Sequence, residues 1–249
     1  MKSNVLPIND TMMSVQMASN YHFSAVKLDN LGATEYTLAA IHVDVSGSVG
    51  GFEKELEGAQ KTIVSSCQKS PRAENLMIRT VTFNDTVTEF HGFKLLNSIN
   101  ESDYDGFVDP DGMTALFDSV YSGIEALKDY AKLLSDQDFL ANAVIFIITD
   151  GMDNRSSHTP KNIKTLLNKA MKEEVLESIT TVLIGINTAA ADIQQYLQEF
   201  KNEAELTQYV DAGAATAKNL AKLANFVSQS ISSTSQALGS GQPSQLLKI

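Results

Sequence analysis

Five residues with oxygen-bearing side chains stand at or just beyond the ends of hydrophobic runs. They are two carboxylates and three hydroxyls: Asp44, Ser46, Ser48, Thr114 and Asp150. Oxygen ligands of this kind select hard cations such as Mg²⁺, Ca²⁺ or Mn²⁺ over zinc or copper. Each residue type is also common in helix caps and turns, so none of the five predicts a metal by itself. The set predicts a site for Mg²⁺, with Mn²⁺ or Ca²⁺ as alternatives, if the fold brings its members together.

Two buried strands are predicted at residues 38–45 and 143–149, where near-continuous apolar and β-branched runs stop in polar turns. Asp44 and Asp150 stand at the carboxyl ends of these runs. Segments with helical periodicity alternate with strand-like runs along the rest of the chain, which predicts a doubly wound, open and mostly parallel α/β sheet with helices on both faces. In such a sheet the loops at the carboxyl ends of the strands form a common crevice. The five oxygen ligands are therefore expected to meet at one sheet edge.

The remaining elements follow from periodicity and from turn residues. Further strands are predicted at 76–83, 179–186 and 206–210, and helices at 52–68, 114–134, 161–176, 189–200 and 216–233. The pair Asn84-Asp85 separates two strand-like runs, which predicts that residues 86–90 return as an antiparallel edge strand. We divide the chain into a flexible segment at 1–20, an extra strand or hairpin at 21–36, the α/β domain at 37–233 and a flexible tail at 234–249.

The order of the polar residues resembles a known family. The chain reads Asp-x-Ser-x-Ser after the first long strand, then a Thr in a Gly-x-Thr context, then Thr-Asp-Gly at a strand end. This pattern resembles the von Willebrand factor A (vWA) domain with an intact metal ion-dependent adhesion site (MIDAS), of the stand-alone bacterial type, over roughly residues 37–233. The resemblance implies a vWA or Rossmann-like fold and one Mg²⁺ ion.

The resemblance also implies a role for each ligand. Ser46 and Ser48 would bind the ion directly, and Thr114 would do so directly in one state and through water in another. Asp44 and Asp150 would mostly hold coordinated waters or orient the serines. Few negative charges would then touch the ion, so that a Glu or Asp side chain of a partner could replace one water.

Other residues of the same loops are given supporting roles. Glycines are expected to let the backbone pass close to the ion: Gly47, Gly112 and Gly151. The other polar residues are expected to form turns and helix entries: Asp109, Asp111, Asp153 and Asn154.

Composition limits the possible partners and compartments. The chain has 249 residues, of which 43% are hydrophobic, and a formal net charge of -11, which disfavours nucleic acid as a partner. Its single cysteine, Cys67, can form neither an internal disulfide nor a spaced zinc set. The N-terminus lacks the apolar core of a signal segment, and no apolar run reaches about 18 residues. We therefore expect a cytoplasmic protein without membrane contact.

Enzymatic alternatives fail at specific positions. A haloacid dehalogenase-type phosphotransferase would need an acidic residue where the chain has Ser46. No G-x-x-x-x-G-K-[ST] loop occurs, and SGSVGG lacks the G-x-G-x-x-G spacing of a dinucleotide site. The histidines do not converge on the predicted site: His22, His42, His91 and His158. We therefore expect no catalytic residue, although metal-assisted hydrolysis stays open.

The predicted function is a non-enzymatic, metal-dependent protein-interaction module. The resemblance suggests an intracellular complex, either with an AAA+ ATPase of the MoxR or chelatase kind or within a stress or tellurium-resistance system. The alternative is an extracellular adhesin or surface structural protein, and a metallohydrolase is the third hypothesis.

Overall fold

The computed structural model describes residues 10–19, 21–188, 190–243 and 246–248. Its strands are β1 Met12–Gln16, β2 His22–Val26, β3 Glu35–Asp44, β4 Leu76–Phe83, β5 Val87–Leu95, β6 Leu140–Thr149, β7 Ile179–Gly185 and β8 Gln208–Asp211. Its α-helices are α1 Glu53–Gln68, α2 Leu116–Ser135, α3 Pro160–Lys172, α4 Ala191–Glu203 and α5 Ala217–Ser240. The strands form one sheet in the order β1-β2-β5-β4-β3-β6-β7-β8.

The centre of the sheet is parallel and covered on both faces. Strands β4, β3, β6, β7 and β8 pair in parallel, and β3 and β6 are buried over almost their whole length. Side chains alternate along β3, so that Ile41 and Val43 face α1 and α5 while Leu38 and Ala40 face α2, α3 and α4. This confirms the doubly wound, mostly parallel sheet predicted from the sequence.

Strand β5 is antiparallel to β4, as predicted for residues 86–90. The sheet does not end there, because the hairpin β1–β2 adds two strands outside it and β2 pairs in parallel with β5 at Ala25 and Phe93. Gly92 permits this contact: a Cβ atom at this position would lie 1.8 Å from the Ser24 carbonyl oxygen. The edge strand on this side is therefore β1.

The predicted boundaries of the two flexible terminal segments do not match the observed positions of β1 and α5. Strand β1 lies within the segment 1–20 that the sequence predicted to be flexible, and α5 continues to Ser240 beyond the predicted boundary at 233. Helix α5 continues because Ile231 and Ala237 are buried, and it ends where Gly241 takes a left-handed conformation with φ of 65°. Residues 1–9, 20, 244–245 and 249 of the two predicted flexible segments lie outside the described residues.

Among the described residues, no helix is long and apolar enough to cross a bilayer.

Candidate metal centre

Asp44 lies where the carboxyl ends of the neighbouring strands β3 and β6 meet. Its Oδ1 accepts a hydrogen bond of 2.8 Å from the backbone N–H of Ser46, and its Oδ2 accepts one of 2.6 Å from the Thr149 hydroxyl. The residue is only 1% exposed. Both carboxylate oxygens are therefore occupied in holding the turn after β3 against the end of β6.

Two serine hydroxyls and a second carboxylate continue from this turn. The Oγ atoms of Ser46 and Ser48 lie 3.1 Å apart, and the Ser48 hydroxyl donates a hydrogen bond of 2.8 Å to Asp150 Oδ1. In an octahedral shell with Mg–O distances of about 2.1 Å, neighbouring ligand oxygens lie about 3 Å apart. The spacing of the two serine oxygens thus fits adjacent positions of such a shell.

The loop at 109–115 brings Thr114 to the same edge. Its backbone is joined to the first loop by hydrogen bonds from Gly47 N–H to the Gly112 carbonyl, 3.1 Å, and from Asp111 N–H to the Val45 carbonyl, 3.0 Å. Asn154 makes two hydrogen bonds to the backbone of Thr114. Its side-chain Oδ1 accepts from the Thr114 N–H at 2.8 Å, and its backbone N–H donates to the Thr114 carbonyl at 3.0 Å. All three predicted loops are therefore connected.

The hydroxyl of Thr114 differs from those of the two serines. Within the part of the chain that the structure describes, it has no hydrogen-bond partner, whereas the backbone of Thr114 is fixed on both sides. The residue is 4% exposed. Its oxygen is therefore positioned but free to bind a ligand.

Asp85 is a positioning residue that the sequence analysis missed. Its Oδ1 accepts a hydrogen bond of 3.3 Å from the backbone N–H of Met113, next to Thr114. Its Oδ2 lies against Gly112, where a Cβ atom would approach it to 2.3 Å and where φ is +74°. The contact joins the β4–β5 turn to a loop more than twenty residues later, so local sequence carries no signal for it. The sequence interpretation treated Asp85 only as a turn residue.

Of the three glycines predicted to allow close backbone approach, only Gly112 is constrained by surrounding protein atoms. A Cβ atom at Gly47 would make an ordinary contact of 3.5 Å, and one at Gly151 would meet no protein atom within 4 Å. The expectation that Gly47 and Gly151 let the backbone pass close to the ion stays a prediction.

No family model and no curated protein matches this sequence. Several solved structures share its fold. The pilus adhesin SpaC from Lactobacillus rhamnosus GG aligns over 85% of this chain and 32% of its own, with 13% identity and a TM-score of 0.58. The fold is of the vWA type. PilB, a minor pilin from Streptococcus sanguinis, aligns over 88% of this chain and 66% of its own, with 16% identity and a TM-score of 0.56.

A third vWA-like neighbour is proximal thread matrix protein 1 (PTMP1) from the mussel byssus, in a structure described as having a zinc-occupied MIDAS motif. It aligns over 80% of this chain and 46% of its own, with 20% identity and a TM-score of 0.52. The present chain spans from about a third to two thirds of the length of these neighbours.

The electrostatics of this vWA-type sheet edge favour a cation. Burial raises the pKa of Asp44 from 3.8 to about 6, hydrogen bonds from Ser46 and Thr149 oppose the shift, and the nearby Asp150 carboxylate adds to it. Burial also raises the pKa of Asp150, against the hydrogen bond from Ser48. Two carboxylates that are partly desolvated and repel each other are stabilised in their ionised forms by a positive charge placed between them.

The residues present fit a hard cation better than a soft one. Among the described residues, no group of three or more His, Cys, Asp or Glu side chains is placed to hold a metal ion. The set at the sheet edge instead combines two carboxylates with three hydroxyls, all of them oxygen donors. Its assignment as a Mg²⁺ site remains a prediction.

The other polar residues of these loops make local hydrogen bonds. Asp111 Oδ1 accepts from the Gly112 N–H at 2.8 Å, and Asp153 Oδ1 accepts from the Phe117 N–H at 3.2 Å at the start of α2. These are turn and helix-entry contacts, as expected. Asn154 has a larger role than expected, because it holds both backbone groups of Thr114.

Three of the four histidines have hydrogen bonds that do not involve the five candidate ligands. His42 Nδ1 lies 2.8 Å from Ser119 Oγ, and His91 Nε2 lies 2.7 Å from the Tyr104 hydroxyl. His158 Nδ1 lies 2.6 Å from Asp118 Oδ1. His22 is exposed at the start of β2.

Proposed function

We propose that this chain is a non-enzymatic, metal-dependent protein-interaction module that binds an acidic side chain of a protein partner at the carboxyl edge of its sheet. The observation that carries the proposal is the continuous hydrogen-bonded series from Asp44 through Ser46 and Ser48 to Asp150. Within this series the Oγ atoms of Ser46 and Ser48 lie 3.1 Å apart, which fits neighbouring positions of an octahedral Mg²⁺ shell.

The hydrogen bonds support different roles for the carboxylates and the hydroxyls. Asp44 already accepts a hydrogen bond at each oxygen, which favours holding the loop over direct ligation. Ser46, Ser48 and Thr114 would then be the direct ligands, and they carry no charge. A Mg²⁺ ion held in this way would supply an open coordination position for the carboxylate of a partner.

The comparisons support interaction over catalysis at this edge. PTMP1 is described with zinc in a MIDAS motif, and SpaC is described as a pilus adhesin. The five candidate ligands have no histidine among their described hydrogen-bond partners.

The cellular context of the module is a separate part of the proposal. From the family resemblance we propose an intracellular complex with an AAA+ ATPase of the MoxR or chelatase kind, or within a stress or tellurium-resistance system. The second candidate is an extracellular adhesin, which is favoured by the names of the pilus and byssus neighbours. Fractionation of the native cells, followed by immunodetection of the chain, distinguishes the two contexts.

Metal binding is tested by thermal unfolding and calorimetric titration with Mg²⁺, Mn²⁺, Ca²⁺ and Zn²⁺. A ligand that binds only the folded state raises the melting temperature by mass action. Ser46→Ala should remove the response to Mg²⁺, whereas Ser135→Ala, at the exposed end of α2, should retain it. The metal assignment is excluded if no divalent ion at millimolar concentration stabilises the wild-type protein.

Partner binding is tested by affinity capture from the native host with the wild-type chain and the same two variants, in Mg²⁺ and in EDTA. A partner bound through the metal should be captured by the wild type and Ser135→Ala in Mg²⁺ only, and not by Ser46→Ala. Capture that persists in EDTA would assign the interaction to another surface.

A further inference from the structure

The two edges of the sheet differ in the residues that protect them. Strand β8, at one edge, has four residues and ends in the charged side chain of Asp211. The Gln208 side chain of this strand also donates a hydrogen bond of 2.9 Å to the Leu247 carbonyl near the C-terminus. Strand β1, at the other edge, reads MMSVQ. Charged side chains and proline commonly prevent an edge strand from pairing with another chain, and β1 contains neither.

The hairpin register shows which backbone groups of β1 face outward. Ser14 is paired with Ser24 of β2. The Ser24 N–H donates to Glu89 Oε1 in β5 at 2.8 Å, and the Ser24 carbonyl lies against Gly92 of β5, so both groups point away from β1. Residues opposite each other in an antiparallel pair either exchange both hydrogen bonds or direct both groups outward. Ser14 therefore directs its own N–H and C=O away from β2.

Two hydrogen bonds at the ends of the hairpin agree with this alternation. The Lys27 N–H donates to the Thr11 carbonyl, and the Met17 N–H donates to the Tyr21 carbonyl, each at 2.9 Å. The odd-numbered residues of this segment therefore face β2. Within the described part of the chain, no strand lies on the outer side of β1. The edge thus presents a row of outward N–H and C=O groups, which belong to Met12, Ser14 and Gln16.

This row is complementary to a second copy of itself. An antiparallel pair of β1 strands centred on Ser14 places Ser14 opposite Ser14 and Met12 opposite Gln16, and each pair can exchange two hydrogen bonds. The same register places Met13 of one copy opposite Val15 of the other. Both side chains are half-buried against the core that contains α2, so the pairing would join two apolar surfaces on one face of the sheet.

Charge favours the second copy as the occupant of this edge. With a formal net charge of -11, two copies repel each other in general, so an interface between them requires a surface without charge. Strand β1 supplies such a surface, and it has no side chain that would select an acidic or a basic segment of another protein. Its own sequence, by contrast, matches it in both backbone and side chains.

We propose that the β1 edge is an interface between two copies of this chain, related by a two-fold axis at Ser14, through which the two sheets become one. A single pair of short strands is a small interface, so the dimer forms at micromolar or higher protein concentration. The inference does not depend on the proposed function, because none of the five candidate ligands lies in β1.

The first test is sedimentation equilibrium of the full chain in EDTA, between about 1 and 500 µM. The mass should rise with concentration from 27.0 kDa towards twice that value. Ser14→Pro removes an outward N–H that the hairpin does not use, and proline is tolerated at such an edge position, so this variant should stay monomeric. Ser14→Ala keeps the N–H and should dimerise as the wild type does. Circular dichroism and the melting temperature verify that both variants are folded.

The second test is disulfide cross-linking, which reports the register. Opposite residues in a hydrogen-bonded antiparallel pair have Cα atoms about 5.5 Å apart, within the range that a disulfide spans. Ser14→Cys, with oxidised glutathione as the oxidant, should therefore form a covalent dimer about tenfold faster than Ser135→Cys, at the exposed end of α2. The native Cys67 is buried and should not contribute.

Three results would overturn the proposal. The first is a wild-type chain that remains at 27.0 kDa at every concentration. The second is a folded Ser14→Pro variant that dimerises as strongly as the wild type, which would place the interface elsewhere. The third is equal cross-linking of Ser14→Cys and Ser135→Cys, and this result decides the matter if Ser14→Pro does not fold. Loss of metal binding would leave all three measurements unchanged.

Discussion

At the scale of single residues, Asp44 combines a structural and an electrostatic role. Its two oxygens fix the turn that carries Ser46, yet burial and the Asp150 carboxylate raise its pKa to about 6. At neutral pH the metal-free protein must therefore hold a buried negative charge that it would hold more easily with a cation present. Electrostatic destabilisation of this kind is expected at a site where a bound ligand supplies the opposite charge.

Asp44→Asn is expected to stabilise the metal-free protein at neutral pH. The folded pKa of about 6 exceeds the ordinary value of 3.8, so the folded state binds more protons than the unfolded state in this interval. The contribution of Asp44 to stability is therefore lost as pH rises through about 6. The variant should gain at most about 3 kcal/mol in unfolding free energy at pH 7 and almost nothing below pH 4. Urea unfolding in EDTA at the two pH values measures this difference.

The same variant should lose the stabilisation by Mg²⁺ although it is more stable than the wild type in EDTA. A disturbed fold would not give this combination. A variant less stable than the wild type at pH 7 in EDTA would contradict the electrostatic interpretation. It would indicate that the hydrogen bonds of the carboxylate outweigh its desolvation.

Gly112→Ala is expected to disturb the Thr114 loop. An L-residue at φ of +74° costs about 1–2 kcal/mol, and the new Cβ atom would displace the Asp85 carboxylate that lies 2.3 Å from it. We expect a loss of about 2 kcal/mol in unfolding free energy and weaker Mg²⁺ binding, measured by urea unfolding and calorimetry. Gly151→Ala is the control for stability, because its Cβ would meet no protein atom within 4 Å. Equal stabilities of the two variants would contradict the packing argument.

At the scale of elements, a buried polar network connects the N-terminal hairpin to the central strands. Glu89 in β5 accepts from the Ser24 N–H and hydroxyl in β2, at 2.8 and 2.6 Å, and pairs with Arg79 in β4 at 2.7 Å. Arg79 Nη1 lies 3.3 Å from His42 Nε2 in β3, whose Nδ1 contacts Ser119 in α2. Five elements are thus joined through side chains.

Glu89→Gln is expected to destabilise the protein, because Arg79 is 1% exposed and would keep its charge without a carboxylate partner. Removing one partner of a buried pair costs about 3–5 kcal/mol, and the 18% exposure of the Glu89 side chain should place the loss near the lower limit. Thermal and urea unfolding measure the loss, and hydrogen exchange should increase in β2. Lys132→Gln, in an exposed pair with Asp136, should change stability by less than about 1 kcal/mol. A similar small change in Glu89→Gln would show that the network does not hold the hairpin.

Sequence patterns predicted the elements that have long, regular apolar runs. Strand β4 occupies residues 76–83 as predicted, since its sequence LMIRTVTF is rich in apolar and β-branched residues and the strand is buried on both faces. The hairpin strand β1 was missed, because its five residues MMSVQ are too few to show alternation. The end of α5 was missed because its Ser, Thr and Gly residues have weak helical preference, and burial of Ile231 and Ala237 overrides it.

The sequence predicted only those residues of the candidate site that lie within short local motifs. The serines after β3 and Asp150 at the end of β6 lie within recognisable motifs, so the sequence alone indicated that they meet. The roles of Asp85 and Asn154 could not be found in this way, because their contacts join loops that are distant in sequence. Tertiary contacts of that kind leave no local pattern.

At the scale of the whole molecule, two fully buried histidines lower the stability of the protein in acid, whereas Asp44 raises it there. Burial lowers the pKa of His91 to about 3, and burial together with the Arg79 charge lowers the pKa of His42 well below 6.5. Both side chains are therefore neutral in the folded state across the range in which unfolded histidines bind a proton. Their contribution to stability is present above about pH 6.5 and is lost as the pH falls.

His91→Gln is expected to reduce the loss of stability in acid. Between pH 6 and pH 4 the unfolded state takes up a proton at residue 91 that the folded state does not, which lowers the unfolding free energy by about 1.4 kcal/mol per pH unit. The variant should show a correspondingly shallower decline, although its stability at pH 7 falls because the hydrogen bond to Tyr104 changes. Urea unfolding at half-unit pH steps in EDTA measures the slopes, and His22→Gln, at an exposed position, should keep the wild-type slope. An unchanged slope in His91→Gln would mean that the ring becomes protonated within the folded protein, which its burial beside the Tyr104 hydroxyl argues against.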